Sequence, residues 1–179
     1  WEKLFSERMC RHFREDFGMY CRVARFHNVY GPDGTWEGGR EKAPAAICRK
    51  VIHAKHTGDH SIEIWGDGTQ TRSFLYIDEC VEGIRRLMES DFIGPVNIGS
   101  DEMVTINQLV DYACQIGDKK LSKMHIKGPL GVAGRNSDNR LIKEKLDWAP
   151  SQPLKQGLKQ TYEWINREVE SRNVARAAL

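Results

Sequence analysis

Short β-prone runs alternate with amphipathic helical runs along almost the whole chain, and this alternation restricts the fold to the α/β class. Leu4, Phe5, Met9, Phe13 and Phe17 recur at helical spacing from Glu2 to Phe17, and Gly18 supplies a stop. Tyr20 to Phe26 is β-prone. A loop carrying four glycines follows from Asn28 to Lys42, and a helix is expected from about Pro44 to His56. Ser61 to Trp65 alternates like a strand, Gly66-Asp67-Gly68 is a turn, and Arg72 to Ile77 is a second strand. Asp78 is placed to cap a helix whose stripe is Val81, Ile84, Leu87 and Met88. Val96-Asn97-Ile98 is a short strand ending at Gly99. Thr105 and Gln108 have the spacing of a capping box ahead of Leu109, Val110 and Ala113. Met124 to Lys127 is a further strand. Asp138 is expected to cap a helix carrying Leu141, Ile142 and Leu146, and the last helix runs from Leu154 to about Val169.

The chain of 179 residues is long enough for a substantial core. A net charge of +2 is too small to argue for nucleic acid or a membrane surface as partner. The five cysteines (10, 21, 48, 80 and 114) are odd in number and widely spaced, without a Cys-x-x-Cys pair. Reduced thiols in a cytoplasmic protein are the expectation, not a disulfide framework or a zinc site. His53, His56 and His60 read as a polar surface turn, so no metal is expected.

Chemistry concentrates in three stretches. Gly38-Gly39-Arg40-Glu41-Lys42-Ala43-Pro44 is a glycine-rich charged loop running into a helix start, where backbone N–H groups favour anions and proline fits the first turn. Trp65 to Phe74 carries Gly66-Asp67-Gly68, Gln70, Thr71, Arg72 and Ser73. Gly134 to Asn139 carries Arg135. Alternation puts Arg72 and Ser73 on opposite faces, so only one of them faces a ligand.

Arg25-Phe26-His27-Asn28-Val29-Tyr30-Gly31-Pro32, Trp65-Gly66-Asp67-Gly68 through Arg72 and Asp78, and Pro95 to Ser100 resemble the extended short-chain dehydrogenase/reductase family of nucleotide-sugar epimerases and dehydratases. The likeness runs from Glu2 to about Trp164, and the 38–44 loop is similar to the branch that acts on a GDP-sugar. It implies a Rossmann-like parallel sheet with a smaller substrate-binding lobe. Residues 1–32 would be the last part of the Rossmann-like domain and 33–170 mainly the lobe, with 171–179 as a tail. No Gly-x-x-Gly-x-x-Gly fingerprint is present, so the chain resembles the C-terminal part of such an enzyme. The partner of the catalytic Tyr-x-x-x-Lys lysine would lie upstream of Trp1.

The resemblance implies NAD as cofactor, a GDP-sugar as substrate and a homodimer in the parent protein. It implies that Lys42 belongs to an acid/base pair, and that Lys3 grips the nicotinamide ribose and lowers a tyrosine pKa. Phe26 would line the nicotinamide pocket. Arg72 and Arg135 would hold the diphosphate, with Asn28, Lys50, Gln70, Thr71 and Ser73 as further substrate contacts. Each has a plain structural alternative: a solvated lysine, a core aromatic, a strand-edge polar group. The implied reaction removes a hydride from the fourth ring carbon onto NAD, inverts the third and fifth centres, and returns the hydride. A different sugar-nucleotide reaction (4-epimerisation, dehydration or decarboxylation) and a non-catalytic sugar-nucleotide-binding module remain open. The 179 residues alone are expected to be inactive.

Overall fold

In the computed structural model the described residues are 1–129 and 131–177, with side chains described as far as 174. The helices are α1 (Glu2–Phe17), α2 (Ala43–Thr57), α3 (Ile77–Glu89), α4 (Ile106–Ile116), α5 (Arg140–Leu146) and α6 (Leu154–Ala177). The strands are β1 (Val23–Phe26), β2 (Val29–Tyr30), β3 (Ser61–Trp65), β4 (Thr71–Ser73), β5 (Leu75–Tyr76), β6 (Pro95–Ile98), β7 (Met103–Thr105), β8 (Ser122–Ile126) and β9 (Gly134–Arg135).

Parallel pairing dominates. β1 pairs with β6, β2 with β5 and β3 with β8, each in parallel, and each pair is joined through helical crossovers, as parallel strands require. β4 is the centre of a three-stranded sheet, antiparallel to β7 and parallel to β9. The α/β class read from the alternation is the observed one.

Two hydrophobic cores result. One is built on α2, α4 and α6, where Val51, Ile52, Leu109, Val110, Leu158 and Ile165 are fully buried. The other joins β6, α3 and α5 through Leu75, Leu87, Val96, Ile98 and Ile142. Each such aliphatic side chain contributes about 1.5–3 kcal/mol by leaving water. Tyr30 stands at the edge of the first core, donating its hydroxyl to the Leu154 carbonyl at 3.1 Å.

Local signals hold where the contacts are local. Thr105 Oγ1 accepts the Gln108 N–H at 3.0 Å and Gln108 Oε1 accepts the Thr105 N–H at 2.8 Å, completing the capping box. Gly18 closes α1 at φ 67°, its N–H donating to the Arg14 carbonyl while the Met19 N–H donates to that of Phe13.

Other boundaries differ from the sequence reading. The single strand expected over Arg72 to Ile77 divides at Phe74. β4 stays in one sheet while β5 joins β2, because four consecutive buried residues, Ser73 to Tyr76, carry the chain between layers. Tyr76, not Asp78, is the N-cap of α3. Asp78 lies in the first turn, where its charge suits the helix dipole. Asn139 is the N-cap of α5, although Asp138 Oδ1 still accepts the Arg140 N–H at 3.1 Å. β8 starts at Ser122, and α6 continues through the expected tail to Ala177; residues 178 and 179 lie outside the described residues.

Gly157 sits where α6 crosses the β2–β5 pair. An added Cβ there would lie 2.4 Å from Tyr30 Oη and 2.6 Å from the Tyr76 ring. Gly157→Ala is therefore expected to lose about 1–3 kcal/mol of stability by overpacking, read from urea denaturation midpoints. A midpoint equal to wild type contradicts this packing.

Candidate active site

The end of β1, the start of α1, β6 and β9 enclose a cleft of about 680 Å³. Lys3 enters it from the first turn of α1, Phe26 from the end of β1, Asn97 from β6 and Arg135 from β9. Glu7, one turn after Lys3, holds Arg25 through two contacts of 2.6 and 2.7 Å. That hydrogen bond, against the opposing effect of burial, keeps the Glu7 carboxyl below the usual range. Lys3, Arg22, Arg25 and Arg135 outweigh Glu7, so the cleft favours an anion.

β4 carries a second arginine beside Arg135, outside the lining of the cleft itself. In the parallel β4–β9 register, Arg72 stands directly opposite Arg135. Paired positions project from the same face, strands lie about 4.8 Å apart, and like charges so placed repel. Arg72 Nη1 donates to the Thr71 carbonyl at 2.7 Å, which fixes its base. A diphosphate bridging two guanidinium groups would convert this repulsion into charge-assisted hydrogen bonds.

His27 and Asn97 join the cleft although sequence reasoning passed over them. Burial first, and then the charge of Arg135, hold the His27 imidazole below its ordinary value of 6.5. Its Nδ1 is buried with no partner among the described residues. Gly99 makes this close packing possible, since a Cβ there would fall 2.8 Å from both His27 Cβ and Ser137 Cβ. The available signal was position: His27 directly follows the strand-end Phe26.

The remaining predicted residues divide. Asn28 Nδ2 donates to the Ser73 carbonyl at 3.2 Å, tying the loop after β1 to β4. Gln70 Nε2 donates to the Trp65 carbonyl at 3.1 Å and closes the β3–β4 turn, while its Oε1 is buried without a partner among the described residues. Thr71 lies beside Gly134, whose added Cβ would sit 2.6 Å from Thr71 Oγ1. The expectation that Ser73 contacts substrate is corrected: it is 0% exposed, because alternation turns it into the core while Arg72 on the opposite face stays half-buried. Lys50 donates to the Glu63 carbonyl on β3 at 2.8 Å, so its amine is engaged in joining α2 to that strand.

Lys42 is the N-cap of α2, extended at φ −76° and ψ 156°, exposed, and outside the cleft lining. The loop before it is held from two sides. Arg49 on α2 donates to the Trp36 carbonyl at 3.0 Å and to Glu41 at 2.8 Å. Arg172 on α6 stacks 4.6 Å above the Trp36 ring and pairs with Glu37.

Residues 1–99 match the model of the NAD-dependent epimerase/dehydratase family. The chain belongs to that family. Over 169 residues it is 59% identical to GDP-mannose 3,5-epimerase of Arabidopsis thaliana, covering 94% of this chain and 44% of that relative. Among solved structures it is similar to UDP-glucose 4-epimerase of Thermotoga maritima with UDP-glucose, at TM-score 0.84 and 27% identity. That likeness covers 93% of this chain and 52% of the other. It is also similar to UDP-glucuronic acid 4-epimerase of Bacillus cereus with UDP-glucuronic acid and NAD, at TM-score 0.74 and 27% identity, covering 92% and 51%. The chain thus spans about half the length of the proteins it matches. No helix among the described residues is long and apolar enough to cross a membrane.

The cleft residues fit the nicotinamide-ribose end of NAD. Lys3 offers an amine for ribose hydroxyls, and Phe26, 50% exposed at the strand end, offers an apolar face for a flat ring.

The His27 environment can be titrated. An unfolded imidazole takes up a proton as pH falls through about 6.5, whereas the folded one resists, so this group lowers stability as pH falls below that value. Arg135→Met is expected to raise the His27 midpoint, followed by imidazole NMR. An unchanged midpoint removes Arg135 from its surroundings.

Proposed function

We propose that this chain is the substrate-binding portion of a GDP-mannose 3,5-epimerase, which converts GDP-α-D-mannose to GDP-L-galactose with NAD retained. The observation that carries the reading is the 59% identity across 94% of the chain. Arg135 in the cleft that holds Lys3 and Phe26, with Arg72 opposite it in the β4–β9 register, supports a site for a sugar diphosphate beside a nicotinamide. The homodimer, the cytoplasmic location and the division into residues 1–32 and 33–170 belong to the same proposal.

Bound NAD supplies one thing, a reversible acceptor for the hydride at the sugar's fourth carbon. A transient ketone there acidifies the protons on carbons 3 and 5. Arg72 and Arg135 hold the diphosphate, and Asn28, Gln70 and Thr71 frame the strand beneath it. Lys3 orients the ribose. Lys42 is the chain's acid/base group, exchanging a proton with the activated carbons from the start of α2, while its counterpart on the other face comes from the remainder of the protein. Lys50 supports the α2–β3 contact behind it.

Proton exchange separates this reaction from simple 4-epimerisation, which leaves carbons 3 and 5 untouched. The full-length protein, incubated with GDP-mannose in D2O, is expected to place deuterium on both carbons. Lys42→Met should lower that exchange by about 10²–10⁴-fold. Binding without any deuterium uptake would refute the assignment and favour a 4-epimerase or a binding module.

A further inference from the structure

Glu41 is an unusual residue for a surface loop. Its side chain is only 8% exposed, although Gly38, Gly39 and Arg40 around it are open to solvent. Burying a carboxylate is unfavourable unless its oxygens are engaged, and both are. Oε2 accepts the Gly39 N–H at 2.7 Å, and Oε1 accepts Arg49 Nη2 at 2.8 Å. Arg49 simultaneously donates from Nε to the Trp36 carbonyl at 3.0 Å. One planar guanidinium therefore fastens both ends of the 36–41 loop to α2.

The loop needs such a fastening. Gly38 and Gly39 occupy left-handed backbone at φ 88° and 84°, with open space around both. Nothing packs there to select one conformation, and glycines lose the most freedom on ordering. The Gly39–Glu41–Arg49 chain of bonds supplies the selection. The next residue after Glu41 is Lys42, whose own carbonyl accepts the Ala46 N–H at 3.0 Å. Its backbone is thus held on one side by the helix and on the other by the buried carboxylate.

We infer that Glu41 and Arg49 are positioning residues for Lys42: together they fix the direction in which its amine leaves the start of α2. The inference rests on the proposed reaction, in which that amine exchanges protons with the sugar. Arg49 suits the task because its planar guanidinium reaches the Glu41 carboxylate and the Trp36 carbonyl at once from fixed directions, which a lysine in its place would not reproduce.

The test uses the full-length protein with GDP-mannose in D2O, comparing wild type with Glu41→Gln and Arg49→Met. Two readouts are taken together: deuterium entry at carbons 3 and 5, and transient oxidation at carbon 4 from the reduced nicotinamide's absorbance. A third, independent of catalysis, is the exchange rate of the Gly39 amide. The expected result is a loss of about 10²-fold in deuterium entry, with carbon-4 oxidation and KM near wild type. Gly39 exchange should accelerate about tenfold. A merely structural role would lower deuterium entry and oxidation in equal proportion, and that outcome overturns the inference. So does normal deuterium entry in both variants. If wild type itself incorporates no deuterium, the assigned reaction is wrong, and the positioning role falls with it.

Discussion

The register of β4 on β9 is the constraint from which the site follows. It sets Arg72 and Arg135, residues 63 positions apart in sequence, side by side on one strand pair. Like charges so placed repel, and an anion lying between two guanidinium groups gains charge-assisted hydrogen bonds from both. β1 delivers Phe26 and His27 to the cleft that Arg135 lines, the Asn28 amide locks the following loop to Ser73, and α1 adds Lys3 to the same cleft.

How far the sequence disclosed this depends on the range of the interaction. α4 was legible to the residue because its cap is made by Thr105 and Gln108, three positions apart. α2 was legible to within a residue at each end, Pro44 marking its first turn. β2, β7 and β9 were not, since each is two or three residues long and exists only through a partner distant in sequence. Alternation stated that Arg72 and Ser73 face opposite ways but could not say which way was out. Burial of Ser73 decides it, and that burial depends on the whole first core. The run of charges after Val169 in α6 gave no apolar stripe to follow, so its last turns were missed.

The 36–42 loop shows a similar division of labour. Its glycines and its cationic residues could be read directly. That the acidic member at position 41 is the one tucked away against Arg49, and that Arg172 reaches Trp36 and Glu37 from a second helix, follows from tertiary packing alone. Exposed cations next to a buried anion reverse the naive picture in which all charges of such a loop face water.

The first helix stands apart from this order. None of its residues is buried, and Leu4, Phe5, Phe13 and Phe17 all lie open. Its attachments are polar: the Glu7–Arg25 pair, and Arg14 donating to the Ile93 carbonyl at 2.9 Å. The screening length is about 3 Å at a molar of added salt, longer than the 2.6 and 2.7 Å Glu7–Arg25 contacts, so brine removes the long-range pull of this helix's charges and leaves the direct pair in place.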